Sequence, residues 1–529
     1  MKLRTLALLC LAVIIGITGC GGKKQDNTVD LSEVPPMTEN TLPISEKGVE
    51  LSIWMVNNAQ GYVNNYNDMK AFDILKERTG VGFSFQHPTG DATEQLNIML
   101  ASNDYPDMIM TAPEPKYLKD GVAIRLNEYI DVYAPNFKKL MTDDPEAYNQ
   151  IPLASGDIIG FPMITDDEHF LCYDGYFIRK DWLDAVGMDI PETMDDWYNV
   201  LCAFRDKNPG GNEGTVPFST FGWMFPSSFN AAYGVKTDYI VNPKTGKMTH
   251  GVIEPAFRDY LAEMSKWYKE GLLDENLLNV SGKDLDALML NDKLGAIMCD
   301  NNNSIPKYQQ LRPDIDLVPL PVPKGPDGKA YYPENANIRR VRGSAGIITS
   351  ACKNIVEAVR VCDYLYSEEG KTLFNWGVEG ESFSVNADGT KQFTDNILKN
   401  PQGKIPHEAI CEYITNTGFI GFNEYAAARG LEANLPEIAK KTRDQSIEYT
   451  MQSDKSMLYQ IIPFSIEEKA KLNDLNTDMK TLIKETVDKI IIGVEPIEKY
   501  DELVKQVKAM SIDDAIAIHQ TAYDRLKNR

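Results

Sequence analysis

Apolar and polar positions alternate along this chain in blocks whose period changes in a regular order. Val49-Glu-Leu-Ser-Ile-Trp-Met-Val56 is dense in apolar and β-branched residues and reads as a buried first strand. A polar loop over 57–68 leads into a helix that ends near Arg78, with Gly80 as its stop. Val81–Gln86 alternates as a second strand. Asp91–Ser102 places Leu96, Met99 and Leu100 on one helical face, and Pro106–Met110 is a third strand. Strands alternating with helices predict parallel βαβ units, hence an α/β fold.

The same pattern resumes downstream. Thr193 and Asp196 have capping-box spacing and open a helix running to Lys207. Phe257, Tyr260, Leu261, Met264, Trp267 and Tyr268 form a helical stripe closed by Gly271. Strands are expected at 294–298, 316–322 and 343–350, the last followed by a helix over 354–366. The final third is helical. Ser465 and Glu468 cap a long helix with Leu472, Leu475, Met479, Leu482 and Val487 inward, and Ser511 and Asp514 cap the last one. No period of 20 to 50 residues recurs, which excludes a solenoid.

The amino terminus changes the picture from fold to compartment. Lys2 and Arg4 precede an apolar run, Leu6–Ile15, that is shorter than the ~20 residues needed to span a bilayer. Ile17-Thr18-Gly19-Cys20 resembles the lipobox of bacterial lipoproteins. That resemblance implies a signal peptide over 1–19, cleavage before Cys20, and lipid on its thiol and new amino terminus. Residues 20–47 then form the anchor and a flexible tether, being polar and without apolar periodicity. The expected location is the outer face of the cell membrane.

The net charge of −23 argues against nucleic acid as a partner and weakly against a polyanionic ligand. The six cysteines after Cys20 contain no C-x-x-C pair and assign no disulfide. No nucleophile elbow, phosphate-binding loop or dinucleotide fingerprint occurs, and the five histidines lack metal-ligand spacing. No cofactor or metal is expected, and no catalytic constellation is read, so the chain is not expected to be an enzyme.

Several segments in register carry a family resemblance. Tyr176-Phe-Ile-Arg-Lys-Asp-Trp-Leu-Asp-Ala-Val-Gly187 with Pro191-Glu-Thr-Met-Asp-Asp-Trp197 resembles the family 1 extracellular solute-binding proteins. Ala101–Met108, Trp267–Asp274, Lys293–Met298, Glu357–Leu365 and Ser367–Gly370 agree in order and spacing. Trp376–Gly380 is similar to their large LipO-like lipoproteins of Gram-positive bacteria. The resemblance runs from about residue 48 to the end. It implies a two-lobed, hinged fold of the type II periplasmic-binding-protein kind, with ligand between the lobes. The first lobe would hold 48–168 and 316–365, and the second 169–315 and 366–529. Its implied partners are a carbohydrate, in particular an oligosaccharide, and the permease subunits of an ABC importer, with the chain a monomer. A secreted polysaccharide-degrading enzyme, or a binding protein for a peptide or other nutrient, is the alternative.

A sugar offers apolar C–H faces and a rim of hydroxyls, so its site wants flat aromatic surface and planar polar groups. Trp182, Trp197 and Trp267 sit on apolar helical faces and belong to the core. Trp54, Trp223 and Trp376 lie at strand ends or beside glycine, where they either stack on ligand or pack. Asn57, Asn58, Asp107, Asn301, Asn302, Arg342 and Glu379 complete the expected site: Asn301 and Asn302 follow a strand, where α/β sheets bind ligands beyond their carboxyl ends, and Arg342 can fork onto a hydroxyl pair or a carboxylate. Arg179 and Asp181 match the family signature, and a structural ion pair explains them equally. The loop 206–214 corresponds to an acidic calcium loop of some family members but keeps only Asp206 and Glu213 as acids, so no metal is assigned there.

Overall fold

A computed structural model describes residues 41–529 apart from 60–61, 168, 170–171, 173, 223, 301–303, 334–339, 416–418 and 460. The segment read as a signal peptide, Cys20 and most of the expected tether therefore lie outside the described residues. The strands in chain order are β1 (Val49–Trp54), β2 (Val81–Gln86), β3 (Met108–Thr111), β4 (Gly160–Thr165), β5 (Asp174–Arg179), β6 (Val216–Thr220) and β7 (Tyr239–Val241). They continue with β8 (Met248–His250), β9 (Leu294–Asp300), β10 (Leu317–Leu320), β11 (Val341–Ile348), β12 (Phe383–Val385), β13 (Lys391–Phe393) and β14 (Gly421–Asn423).

Two sheets organise two lobes. The first has the order β14-β4-β11-β3-β1-β2, with β11 antiparallel to both neighbours and the remaining pairs parallel. The second has the order β10-β5-β9-β6, in which β5 opposes both β10 and β9. Side chains alternate across each sheet as the period of two demands. In the first, Leu51, Ile53 and Met108 enter the main core, while Trp54, Ile109 and Ile347 enter a smaller cluster on the opposite face. In the second, Tyr176, Ile178 and Met298 point one way and Phe177, Ile297 and Cys299 the other. Both faces of both sheets are thus covered, which explains why the strands read as nearly continuous apolar runs.

The helices follow their sequence signals closely. Both side-chain contacts of the capping box are made at Thr193/Asp196 and at Ser465/Glu468, and a third box, Ser281/Asp284, opens the helix Gly282–Leu290. Ser511 departs from expectation: its backbone is left-handed, with φ 65°, and its side chain caps nothing. Trp182, Trp197 and Trp267 are core residues of the second lobe, as their apolar faces predict.

The lobe boundaries differ from those expected. β10 pairs with β5 in the second sheet, and only β11 returns to the first. Residues from Leu373 through Leu431, which the resemblance placed in the second lobe, pack into the first-lobe core, and β14 pairs with β4. The apolar face of Glu368–Trp376 is long enough to serve either lobe; tertiary pairing at β14 decides the matter.

The chain crosses between lobes after β4, after β10 and after β14, and the crossings are bonded to one another. The Tyr425 amide donates to Asp166 Oδ1 at 2.8 Å, joining the first and third. Cys172 Sγ and Tyr332 Oη lie 3.3 Å apart and pack with Ile447, joining the first and second. At the third crossing Glu432 pairs with Arg429 at 3.1 Å and with the buried Arg443 of helix Glu437–Met451. Burial pushes the Glu432 carboxyl up and the Arg429 guanidinium down, so each charge there needs its partner.

Candidate ligand-binding cleft

Topology fixes which sheet edges face each other. The first crossing leaves the carboxyl end of β4 and enters the amino end of β5; the second leaves the carboxyl end of β10 and enters the amino end of β11. The carboxyl ends of β1, β3, β4 and β14 therefore look toward the second lobe, and those of β6, β9 and β10 toward the first. This is the placement at which α/β sheets bind ligands.

A cavity of about 270 Å³ lies between the first lobe and the carboxyl-terminal segment that packs on the second. Its walls come from Ala112–Pro113 after β3, from 150–153, from the amino end of β11, and from Ile461–Phe464. Apolar surface is supplied by Ile151, Pro152, Ile462 and Phe464, and polar groups by Gln150, Arg342 and Lys469. Flat apolar patches beside a few directional groups suit a ligand with C–H faces and hydroxyls.

The second-lobe edge presents two carboxylates. Asp174 opens β5 and is the cross-strand partner of Asp300 at the end of β9. Burial, and then the facing Asp300, push the Asp174 carboxyl up to about 7. With its carboxyl raised to about 7, Asp174 is partly protonated near neutral pH and can both donate to and accept from hydroxyls. Nearby, Thr220 closes β6 by donating to the Met298 carbonyl at 2.8 Å.

The expected site residues distribute unevenly. Arg342 lines the cavity. Asn57 and Asn58 follow β1 at the cleft-facing edge, Asn58 exposed, but the Asn57 amide is spent on its own loop, donating to the Val63 carbonyl at 2.7 Å and accepting from the Ala59 amide. Trp54, 7% exposed, packs with Leu153 and Ile159, two residues of the cavity wall, and so stands behind that wall instead of in it. Asp107 precedes β3 at the opposite edge of the sheet, where it accepts from the Ser52 amide at 2.8 Å and the Ser52 hydroxyl at 2.7 Å; its work is to join two strands. Trp376, 4% exposed, is core: its ring centroid lies 4.9 Å from that of Phe393, and its indole donates to Glu424 at 2.7 Å. Glu379 is an exposed residue of the turn that follows. Trp223, Asn301 and Asn302 lie outside the described residues.

Two contributors escaped sequence reading. Phe464 is the aromatic ring among the cavity's described lining residues, and a screen restricted to tryptophan passes over it. Asp174 was hidden because its significance depends on register with Asp300. Arg179 resolves as structural, being buried and bonded to Asp181 and Asp292 at 2.8 Å. The 206–214 loop is closed by its own amides, Asn208 donating to Asn212 O and Asn212 to Gly210 O, while Asp206 pairs with Arg205. Among the described residues no group of three or more His, Cys, Asp or Glu could hold a metal ion, and no helix is long and apolar enough to cross a membrane.

Comparison with known proteins bears on this arrangement. The profile of the bacterial extracellular solute-binding protein family matches residues 64–372. The fructooligosaccharide ABC transporter substrate-binding protein FusA of Streptococcus pneumoniae is 24% identical over 99% of this chain and 99% of its own length. Lipoprotein LipO of Bacillus subtilis is 25% identical over 62% of this chain and 65% of its own. Among solved structures, FusA in complex with kestose gives a TM-score of 0.72 at 22% identity, covering 90% of this chain and 99% of that one. Alginate-binding protein AlgQ2 without calcium ion gives 0.71 at 23% identity, over 91% and 99%. The fold is theirs: α/β, two-lobed and hinged.

Proposed function

The chain belongs to the bacterial extracellular solute-binding protein family, and from that premise we propose that it captures a neutral oligosaccharide between its lobes and delivers it to an ABC importer. The observation that carries this reading is the cavity between the first lobe and the carboxyl-terminal segment, with Phe464 for a sugar face and Arg342 and Gln150 for hydroxyls. The end-to-end relative FusA is named for fructooligosaccharide transport. Neutral sugar is favoured over uronic acid because Asp174 and Asp300 face each other on the second-lobe edge and the chain carries −23. A ligand carboxylate beside that pair meets like charge.

The protein acts outside the cell, held to the membrane through lipid on Cys20, as a monomer that binds and releases without chemistry. Closure needs only that ligand prefer the closed arrangement. A thermal-shift screen of the chain from residue 48 onward, against neutral fructans and galactosides, uronic-acid oligomers and peptides, tests the proposal. Ligand at 100 times its Kd contributes about 2.7 kcal/mol, so a neutral oligosaccharide should raise the melting temperature by several degrees. Stabilisation by peptides alone, or catalytic release of sugar from any of the oligosaccharides, would overturn it.

A further inference from the structure

The lobes are tied at a fourth place, and this tie is not covalent. Helices Ile466–Ile491 and Ile512–Lys527 rest on the second lobe. Met479, Ile483, Val487 and Ile490 pack with Tyr260 and Trp267, and Ala515, Ala522 and Leu526 pack with Tyr239, Val241 and Met248 of the β7–β8 hairpin. Their ends, however, reach the first lobe. Lys469 Nζ lies 2.9 Å from Glu114, just after β3. The Ile461 amide donates to Gln150 Oε1 at 3.3 Å. The Arg529 guanidinium donates to the carbonyls of Asn149 and Pro152 at 3.0 Å each and of Leu153 at 2.5 Å. Arg525 donates to Glu468 at 3.1 Å and to the Pro463 carbonyl at 3.3 Å, so the last helix and the strap before the long helix move as one piece.

The position of this tie gives it a role. The cavity is bounded on one side by Val341–Gly343, where the second crossing arrives, and on another by Ile461–Phe464 with Lys469. A second gap of about 520 Å³, lined by Leu118, Lys119, Ser155, Ser465 and Arg525, shares Pro115 and Leu153 with the first. Residues 461–469 therefore stand between two spaces, pinned mainly by charged groups and carbonyls. Such bonds are weak singly and exchange readily with water, but several acting together bias an equilibrium.

We infer that residues 461–469, pinned through Lys469–Glu114 and Arg529, form a latch that holds the lobes together over the cavity and must release for ligand to pass. The inference rests on the carbohydrate reading only for what the latch encloses; the latch itself belongs to the free protein. Small-angle scattering of the unliganded chain from residue 48 onward tests it directly. Combining Glu114→Gln with Arg529→Ala should raise the radius of gyration by about 1 Å over the roughly 23 Å of a compact chain this long, with unchanged circular dichroism. Glu114→Lys alone should open the protein, and adding Lys469→Glu should close it again, an outcome that nonspecific damage cannot produce. Wild-type dimensions in all these variants would refute the latch. With kestose as probe, sugar dissociation should be at least fivefold faster in the double variant; equal rates would also refute it. If wild type binds no sugar, the carbohydrate reading falls while the scattering still decides the latch.

Discussion

Exchanging Asp174 for asparagine probes the electrostatics of the cleft with a sign that depends on pH. In an unfolded chain an aspartate titrates near 3.9. In the fold, burial first and the facing Asp300 second push Asp174 up to about 7. Between those values the native protein keeps a proton that the unfolded chain has released. The stability associated with the protonated carboxyl is therefore complete below about 4 and is lost as pH rises toward 7. At 1.36 kcal/mol per unit the loss is roughly 1–2 kcal/mol by pH 5 and roughly 4 kcal/mol by pH 8. Asparagine has the same shape and no charge to bury. Urea unfolding should therefore find Asp174→Asn more stable than wild type by roughly 1–2 kcal/mol at pH 5 and by roughly 4 kcal/mol at pH 8. A pH-independent difference, or a variant weaker than wild type at pH 8, would refute the buried-pair argument.

Two further substitutions separate core from cleft. Trp376→Ala removes a ring packed on Phe383 and Phe393 and strips Glu424 of its indole donor; it should cost about 3–5 kcal/mol in denaturant unfolding while sugar affinity changes less than twofold. Phe464→Ala should weaken kestose binding about tenfold, or ~1.4 kcal/mol by calorimetry, with a modest fall in melting temperature from its lost contact with His519; unchanged affinity would remove Phe464 from the site.

The elements were legible because local chemistry determines them. Capping at Thr193 and Ser465, the left-handed stop at Gly80 and the alternation through β2 are all decided within a few residues. Strand-end logic likewise put Asn57 and Asn58 beyond the carboxyl end of β1; Arg342 reaches the same edge from the amino end of the antiparallel β11, which that logic does not select. It failed where direction mattered: Asp107 lies at the amino end of β3, and because β3 runs parallel to β1, as the βαβ pattern predicts, that end faces away from the second lobe. Trp376 misled for another reason. Its neighbour Gly377 suggested an open loop, but β12 and β13 fold back as a hairpin and bury the ring. The lobe assignment of β10 and β14 was not legible at all, since a short apolar strand fits either sheet and only long-range pairing chooses. The Asp174–Asp300 pair is the same case: the two residues are 126 positions apart in the chain and become neighbours through register alone.

The mutual bonding of the three crossings has a mechanical consequence. A single ribbon of chain between two bodies permits twisting as well as bending, whereas three ribbons stitched side by side, as Asp166 to Tyr425 and Cys172 to Tyr332 stitch these, behave like the spine of a book. Such stitching resists torsion more than bending, so a swing about the spine is the softer motion. For a membrane partner that reads the outer contour, the angle between the two covers would then be the simplest signal of cargo. Loosening the spine, for instance by removing the Tyr332 hydroxyl, degrades that signal without touching a cargo contact.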